Sequence, residues 1–267
     1  DSALSEKELS DGFAGCAPGG KGIDLPVYIS PIAVIFNITG VDSLNLDAAT
    51  IAGIFKGTIT TWNDPAIAAL NPGARLPAGT ITAVHRSDDS GTTKNFTDYL
   101  GQVAPQVWDE PPADSFPYRN GEASQGTSGV VEAVGGGVNT IGYSDASRAG
   151  TLGIAKLKVG DRFVTLSTKA AAAVVASSPL VEGRAANDIA VELDRKTTDP
   201  THYPLVLVSY MIACDHYPDA AMAKLVKAYI GHVASPRGQA EAATSAGSAP
   251  LSPELASRIT AAIDSIR

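Results

Sequence analysis

His85-Arg86-Ser87-Asp88-Asp89-Ser90-Gly91-Thr92-Thr93 sets a guanidinium, two carboxylates and a run of hydroxyls at one point in the chain. The segment before it, Ile81-Thr82-Ala83-Val84, is short, β-branched and apolar. The segment after it, Lys94 to Leu100, spaces Phe96, Tyr99 and Leu100 as a helix does. Strand, tight loop and helix start are therefore expected in succession. The first amides of a helix have no intrahelical partner and lie at the positive end of its dipole, so those of Ser90, Gly91 and Thr92 are placed to face an anion. Gly91 lets the backbone approach closely. Arg86 offers a planar fork of donors, and Ser90 and Thr92 add hydroxyls that donate or accept.

Asp88 is out of character in a cluster of donors. Facing a ligand, it can only accept, so it favours an oxyanion that carries a proton. Sulfate has none at neutral pH and hydrogen phosphate has at least one, a distinction worth roughly 1–3 kcal/mol at a buried acceptor. The same residues also allow a plainer arrangement, in which Asp88 or Asp89 caps the helix and Arg86 pairs with a surface aspartate. The local pattern leaves both open.

This nonapeptide resembles the anion-binding loop of the phosphate-binding proteins that serve bacterial phosphate ABC transporters, whose pattern is Arg-Ser-Asp-x-Ser-Gly-Thr. Other segments agree in the same order. Ser2-Ala3-Leu4 after Asp1 resembles the end of that family's Ser-Asp segment, and Leu25-Pro26-Val27 to Asn37 resembles its Pro-containing strand. Ile54-Phe55-Lys56-Gly57 with Thr61-Trp62-Asn63-Asp64-Pro65 resembles its Ile-Phe-x-Gly and Trp-x-Asp-Pro signature, and Tyr203-Pro204-Leu205 to Ala213 its returning strand. The similarity runs from the first residue to nearly the last and is greatest to actinobacterial lipoprotein members.

The resemblance implies an α/β fold of the two-lobed periplasmic-binding-protein kind (type II, or Venus flytrap) with a two-stranded hinge. The crossings fall near Ile32 to Ile35 and Val208 to Met211, which divides the chain into residues 1–33 plus 209–267 and residues 34–208. It implies high-affinity binding of inorganic phosphate, with Asp1, Arg86, Asp88, Ser90, Gly91 and Thr92 as ligands. Asp1 and Asp88 would take protons from the phosphate, and Arg86 would hold two of its oxygens. The expected partners are phosphate and the membrane permease subunits of an ABC importer. A monomer outside the cytoplasm, without cofactor or enzymatic activity, is expected. The family also has a strand, a helix and a Gly-Ser-Gly type loop ahead of the Ser-Asp segment, so further ligands and a lipid-bearing cysteine are expected upstream of Asp1. Cys16 and Cys214 would lie beside the outgoing and returning strands, which favours a disulfide between them. Two buried free thiols is the other reading.

Composition agrees without adding detail. With 267 residues, 44% of them hydrophobic, the chain can bury a sizeable core. Apolar runs such as 32–36 and 170–176 are far below the ~20 residues of a membrane span. A formal charge of −8 argues against nucleic acid. It does not exclude an anionic ligand, because local amides and Arg86 decide the potential within a site. The two cysteines have neither metal spacing nor a redox motif, and His85, His202, His216 and His232 have no ligand spacing, so no metal is expected.

Along the chain, helices are expected from Ser5 to Phe13, Asp47 to Phe55, Ala66 to Leu70, Gly126 to Val134, Thr168 to Ala176, Ala220 to Val233 and Glu254 to Ile266. Extended segments are expected at Ile23 to Asn37, interrupted by Pro26 and Pro31, and at Thr140 to Ser144, Phe163 to Leu166 and Pro204 to Ala213. This alternation favours a mainly parallel sheet. Gly101 to Gly126, rich in Pro, Asp and aromatic residues, reads as a long surface excursion.

Other chemistry has less support. His85, Asp88 and Ser90 are the residue types of a hydrolase triad, but neighbours on one short loop do not easily set a base between nucleophile and orienter. Gly135-Gly136-Gly137 has no following Gly-Lys-Ser/Thr and reads as a helix stop. Arg148 and Lys94 are either cations at the edge of the site or solvated surface charge. A surface adhesin or sensor on the same fold, contacting its partner through 101–126, is the alternative function. Another tetrahedral oxyanion is the alternative ligand, and Asp88 argues against it.

Overall fold

The computed structural model describes residues 2–267. In chain order the elements are α1 (Glu6–Ser10), β1 (Gly22–Asn37), β2 (Asn45–Leu46), α2 (Ala48–Lys56), α3 (Pro65–Leu70), β3 (Thr82–Arg86), α4 (Gly91–Val103) and β4 (Glu122–Ser124). They continue with α5 (Gly126–Gly136), β5 (Thr140–Asp145), a 3₁₀ turn (Ala146–Arg148), β6 (Gly153–Ile154), β7 (Lys156–Val159), β8 (Arg162–Val164) and α6 (Thr168–Ser177). The last are β9 (Val206–Cys214), α7 (Ala220–Ala234), α8 (Pro236–Ala246) and α9 (Pro253–Ser265).

Local chemistry accounts for the helix ends. Ser5 and Glu8 form a reciprocal capping box on α1, with Ser5 N donating to Glu8 Oε2 at 2.8 Å. That helix stops at Ser10, short of Phe13, and Gly12 follows at φ +82°. Asp47 caps α2 by accepting from Thr50 N at 2.8 Å, and Gly57 ends it in the left-handed conformation that glycine adopts without strain. β1 runs unbroken through Pro26 and Pro31, so these prolines do not interrupt it.

The chain folds as two compact units. One comprises Pro31–Ala171 with Arg195–Leu207. Here β3 pairs in parallel with β4 and β5, each reached through a helical crossover, α4 or α5. β5 then pairs antiparallel with β1 in the register Ile32↔Asp145 to Asn37↔Thr140, and β6 flanks β1 antiparallel. The sheet is mixed rather than mainly parallel. β1 arrives from the other unit, so no crossover from this sheet dictates its direction.

Successive strand residues face opposite sides of the sheet. Val84, Ala33 and Ile35 pack with Val130 and Val134 of α5 on one face. Tyr143 packs against Phe96 of α4 on the other, their rings stacked at 4.3 Å. β2, β7 and β8 form a separate small sheet. The 101–126 segment is less superficial than expected. Trp108 is buried, Phe116 lies on the His85 ring at 4.0 Å, and β4 is a strand of the main sheet.

The other unit gathers the residues up to Ser30, Ala172–Asp194 and Val208–Arg267. Ala172–Asp194 was expected with residues 34–208, and a buried charge cluster explains its place here. Arg184 Nη1 bonds Asp24 Oδ2 at 2.8 Å and Asp188 Oδ2 at 3.0 Å, and Asp188 Oδ1 accepts from Asp24 N at 2.9 Å. The same group clamps the N-terminal segment, because Leu4 N donates to Asp24 Oδ2 and Leu4 O accepts from Arg184. Cys16 and Cys214 form a disulfide within this unit, so they are not free thiols. No helix among the described residues is long and apolar enough to cross a membrane.

Truncating Arg184 would leave two carboxylates buried without their cation. Arg184→Ala is expected to lower unfolding stability by about 3–5 kcal/mol in a denaturant titration. A loss below about 1 kcal/mol would show that the cluster is worth no more than a surface pair.

Candidate functional site

β3 delivers Arg86 to the end of the sheet, and four residues later Ser90 caps α4. Its hydroxyl accepts from Thr92 N at 3.2 Å and Thr93 N at 3.4 Å. Neither Asp88 nor Asp89 is the cap. Asp89 instead accepts from the Ser115 hydroxyl. Ser90 N is also committed, donating to Asp114 O at 2.9 Å, so it does not join the amides available to an anion. Gly91 and Thr92 are half-buried in the first turn.

Arg86 and Asp88 are joined side-on. Arg86 Nε donates to Asp88 Oδ1 at 2.7 Å and Nη2 to Oδ2 at 2.5 Å, while Nη1 reaches Ser90 Oγ at 2.8 Å. Gly126 N, the first amide of α5, adds a bond to Asp88 Oδ1 at 3.0 Å. The Arg86 guanidinium, then this amide, hold the Asp88 carboxyl far below the usual carboxylate range, and the same pairing raises Arg86. Asp88 is therefore ionised at any physiological pH.

Both partners of the pair keep open hydrogen-bonding positions. A guanidinium has five N–H groups, and the three bonds leave one on each terminal nitrogen. A carboxylate has about four acceptor positions, and three are filled, which leaves one on Oδ2. The Ser90 hydroxyl accepts throughout, so its proton is left to donate.

The structure brings together Arg86, Asp88, Ser90, Gly91 and Thr92. Asp1 lies outside the described residues. Lys94 is a half-buried residue of α4, and exposed Arg148 reaches Ser128 Oγ at 3.5 Å beside the start of α5. The triad types do not form a triad. His85 Nδ1 contacts Arg86 O at 3.0 Å, its ring is stacked on Phe116, and the Asp88 carboxylate faces Arg86.

Sequence reasoning missed Gly126 and Tyr143. Gly126 reads as a helix start, but its left-handed φ of +67° and its reach to Asp88 belong to the tertiary structure. Tyr143 lies on an expected strand, and only the pairing of β5 with β3 brings its hydroxyl to Arg86 N, at 3.3 Å.

Comparison with known proteins places this architecture. Residues 1–237 match the PBP superfamily domain. Phosphate-binding protein PstS 3 of Mycobacterium leprae is 36% identical over 237 residues, spanning 86% of this chain and 63% of the relative. Phosphate-binding protein PstS 3 of Mycobacterium tuberculosis is 34% identical over 272 residues, spanning all of this chain and 72% of the relative. The solved structure of a high-affinity periplasmic phosphate-binding protein (PfluDING) bound with phosphate superposes with a TM-score of 0.74 at 22% identity, over 97% of this chain and 76% of that one. The fold is thus that of the periplasmic binding proteins, a mixed α/β architecture of two units. Within it, this chain belongs to the family of the phosphate-binding proteins PstS.

The depressed Asp88 carboxyl fixes the sign of a pH effect. Its pairing contributes stability that is present above the unfolded value of about 4 and is lost as pH falls toward the folded value. The stability gap between the parent and Asp88→Asn is expected to stay constant from about pH 8 to about pH 5 and to narrow only below about pH 4. A gap that narrows near pH 6 in urea titrations would mean that a different group titrates against Arg86.

Proposed function

We propose that this chain binds inorganic phosphate at the Arg86–Asp88–Ser90 site, as the receptor of a phosphate ABC importer. The observation that carries the reading is the residual hydrogen-bonding capacity of the Arg86–Asp88 pair. Two N–H donors suit two bare oxygens of a tetrahedral anion, and one carboxylate acceptor suits a single P–OH. The Ser90 hydroxyl and the Gly91 amide at the start of α4 add donors, and the dipole of α4 favours the negative charge. Both anions that phosphate forms near neutrality retain a proton, whereas sulfate would set a bare oxygen against the Asp88 carboxylate. The names of the relatives support the same ligand.

Release to membrane permease subunits, action as a monomer and a place outside the cytoplasm belong to this reading. The disulfide suits an oxidising compartment. Binding is the proposed end point, with no bond made or broken in the ligand.

Calorimetric titration with phosphate, and with sulfate in the same buffer, tests the reading. Phosphate binding without sulfate binding is expected. Binding of both equally would assign the site to oxyanions in general, and binding of neither would remove phosphate as this chain's ligand. Arg86→Ala is expected to weaken phosphate by more than about 100-fold, since it removes two donors to the anion and leaves the Asp88 carboxylate facing it without its cation. Asp88→Asn turns an amide donor where an acceptor stood and is expected to shrink the phosphate-to-sulfate ratio about tenfold or more. An unchanged ratio would remove Asp88 as the discriminator.

A further inference from the structure

Beneath the Arg86–Asp88 pair lies a phenol that neither the sequence pattern nor the family comparison assigns to the site. Tyr143 is 1% exposed, wedged between Phe96, stacked at 4.3 Å, and Phe55, tilted at 5.7 Å. Its hydroxyl accepts from Arg86 N at 3.3 Å and shares a 2.7 Å hydrogen bond with the Thr93 hydroxyl. Arg86 is the last residue of β3, and Thr93 lies in the first turn of α4. One side chain, fixed by ring packing, therefore spans the two ends of the loop that carries Asp88 and Ser90. Burial pushes the phenol up to about 12, so it stays protonated across the physiological range and the link does not titrate there.

We propose that Tyr143 is a positioning residue for anion binding, holding the Arg86 backbone in register with the start of α4. The two remaining guanidinium donors and the single Asp88 acceptor then meet a tetrahedral anion in one geometry. The proposal rests on the phosphate reading of the site. The loop from Ser87 to Asp89 has no regular secondary structure of its own; Ser87 N bonds Ser124 O, Asp88 takes the Gly126 amide and Asp89 the Ser115 hydroxyl, and none of these bonds reaches β5. Without the phenol oxygen, the Arg86 amide loses its acceptor, and the guanidinium is held through Asp88 and Ser90, which are anchored to Gly126 and Asp114 and not to β5. Binding geometry loosens even though the Arg86–Asp88 bonds remain.

The test separates positioning from mere packing. Tyr143→Phe keeps both ring contacts and removes the hydroxyl. The parent is titrated first, because absence of phosphate binding there would overturn the reading of the site rather than the role of Tyr143. Against a binding parent, Tyr143→Phe is expected to lose affinity about tenfold or more, the scale of one orphaned buried hydrogen-bonding group. Thr93→Val added to Tyr143→Phe removes the hydroxyl left without its partner, so thermal stability should recover while affinity stays low. Phosphate affinity in Tyr143→Phe within twofold of the parent would overturn the proposal, as would recovery of affinity together with stability in the double variant.

Discussion

The site depends on a guanidinium and a carboxylate two positions apart locking side-on. An unpaired arginine attracts any anion. Paired with Asp88, Arg86 contributes little net charge, and on the proposed reading recognition passes to the hydrogen-bonding positions that the pair leaves open. The pair also gathers its surroundings. Ser90 brings the start of α4, Gly126 the start of α5 and Tyr143 the strand β5. In the phosphate site we propose, selectivity among anions of similar size rests on where protons are, a property that ionic strength screens far less than charge.

The sheet supplies the rigidity that such selectivity needs. β3 sits between β4 and β5, so Arg86 leaves a strand paired on both sides. α5 covers one face with Val130 and Val134, while the aromatic group of Phe55, Phe96 and Tyr143 fills the other. The charge cluster of Asp24, Arg184 and Asp188 performs a comparable service in the second unit, joining segments about 160 positions apart through one guanidinium.

Much of this was legible in the sequence because its signals are local. Caps at Ser5 and Asp47 and the glycine stop at Gly57 act within four residues of themselves. The Arg86 to Thr92 cluster is contiguous, so its proximity followed from chain order. What escaped depends on distant partners. β2, β4 and β6 are two or three residues long and carry no periodicity, and the Ala-rich α8 presents a weak apolar stripe. The mixed pairing of the sheet escaped because the direction of β1 is set by its passage between units. Assignment of Ala172–Asp194 to the terminal segments needed an arginine at 184 to find an aspartate at 24. Of the plainer reading of the key loop, the helix cap falls to Ser90 rather than to Asp88 or Asp89, while Arg86 does pair with an aspartate, Asp88 itself, whose Oδ2 keeps one position open.

The segment between α4 and β4 bears on how this loop can diverge between related proteins. It returns to the site at four consecutive residues: Ala113 N donates to Thr97 Oγ1, Asp114 O accepts from Ser90 N, the Ser115 hydroxyl faces Asp89, and Phe116 stacks on His85. Insertions and deletions before Ala113 or after Phe116 leave the spacing of these four contacts unchanged. A change in length inside 113–116 shifts the carbonyl that holds the Ser90 amide. Natural variation in this excursion should therefore be partitioned, with drift in length on both flanks and a conserved spacing across the four-residue anchor.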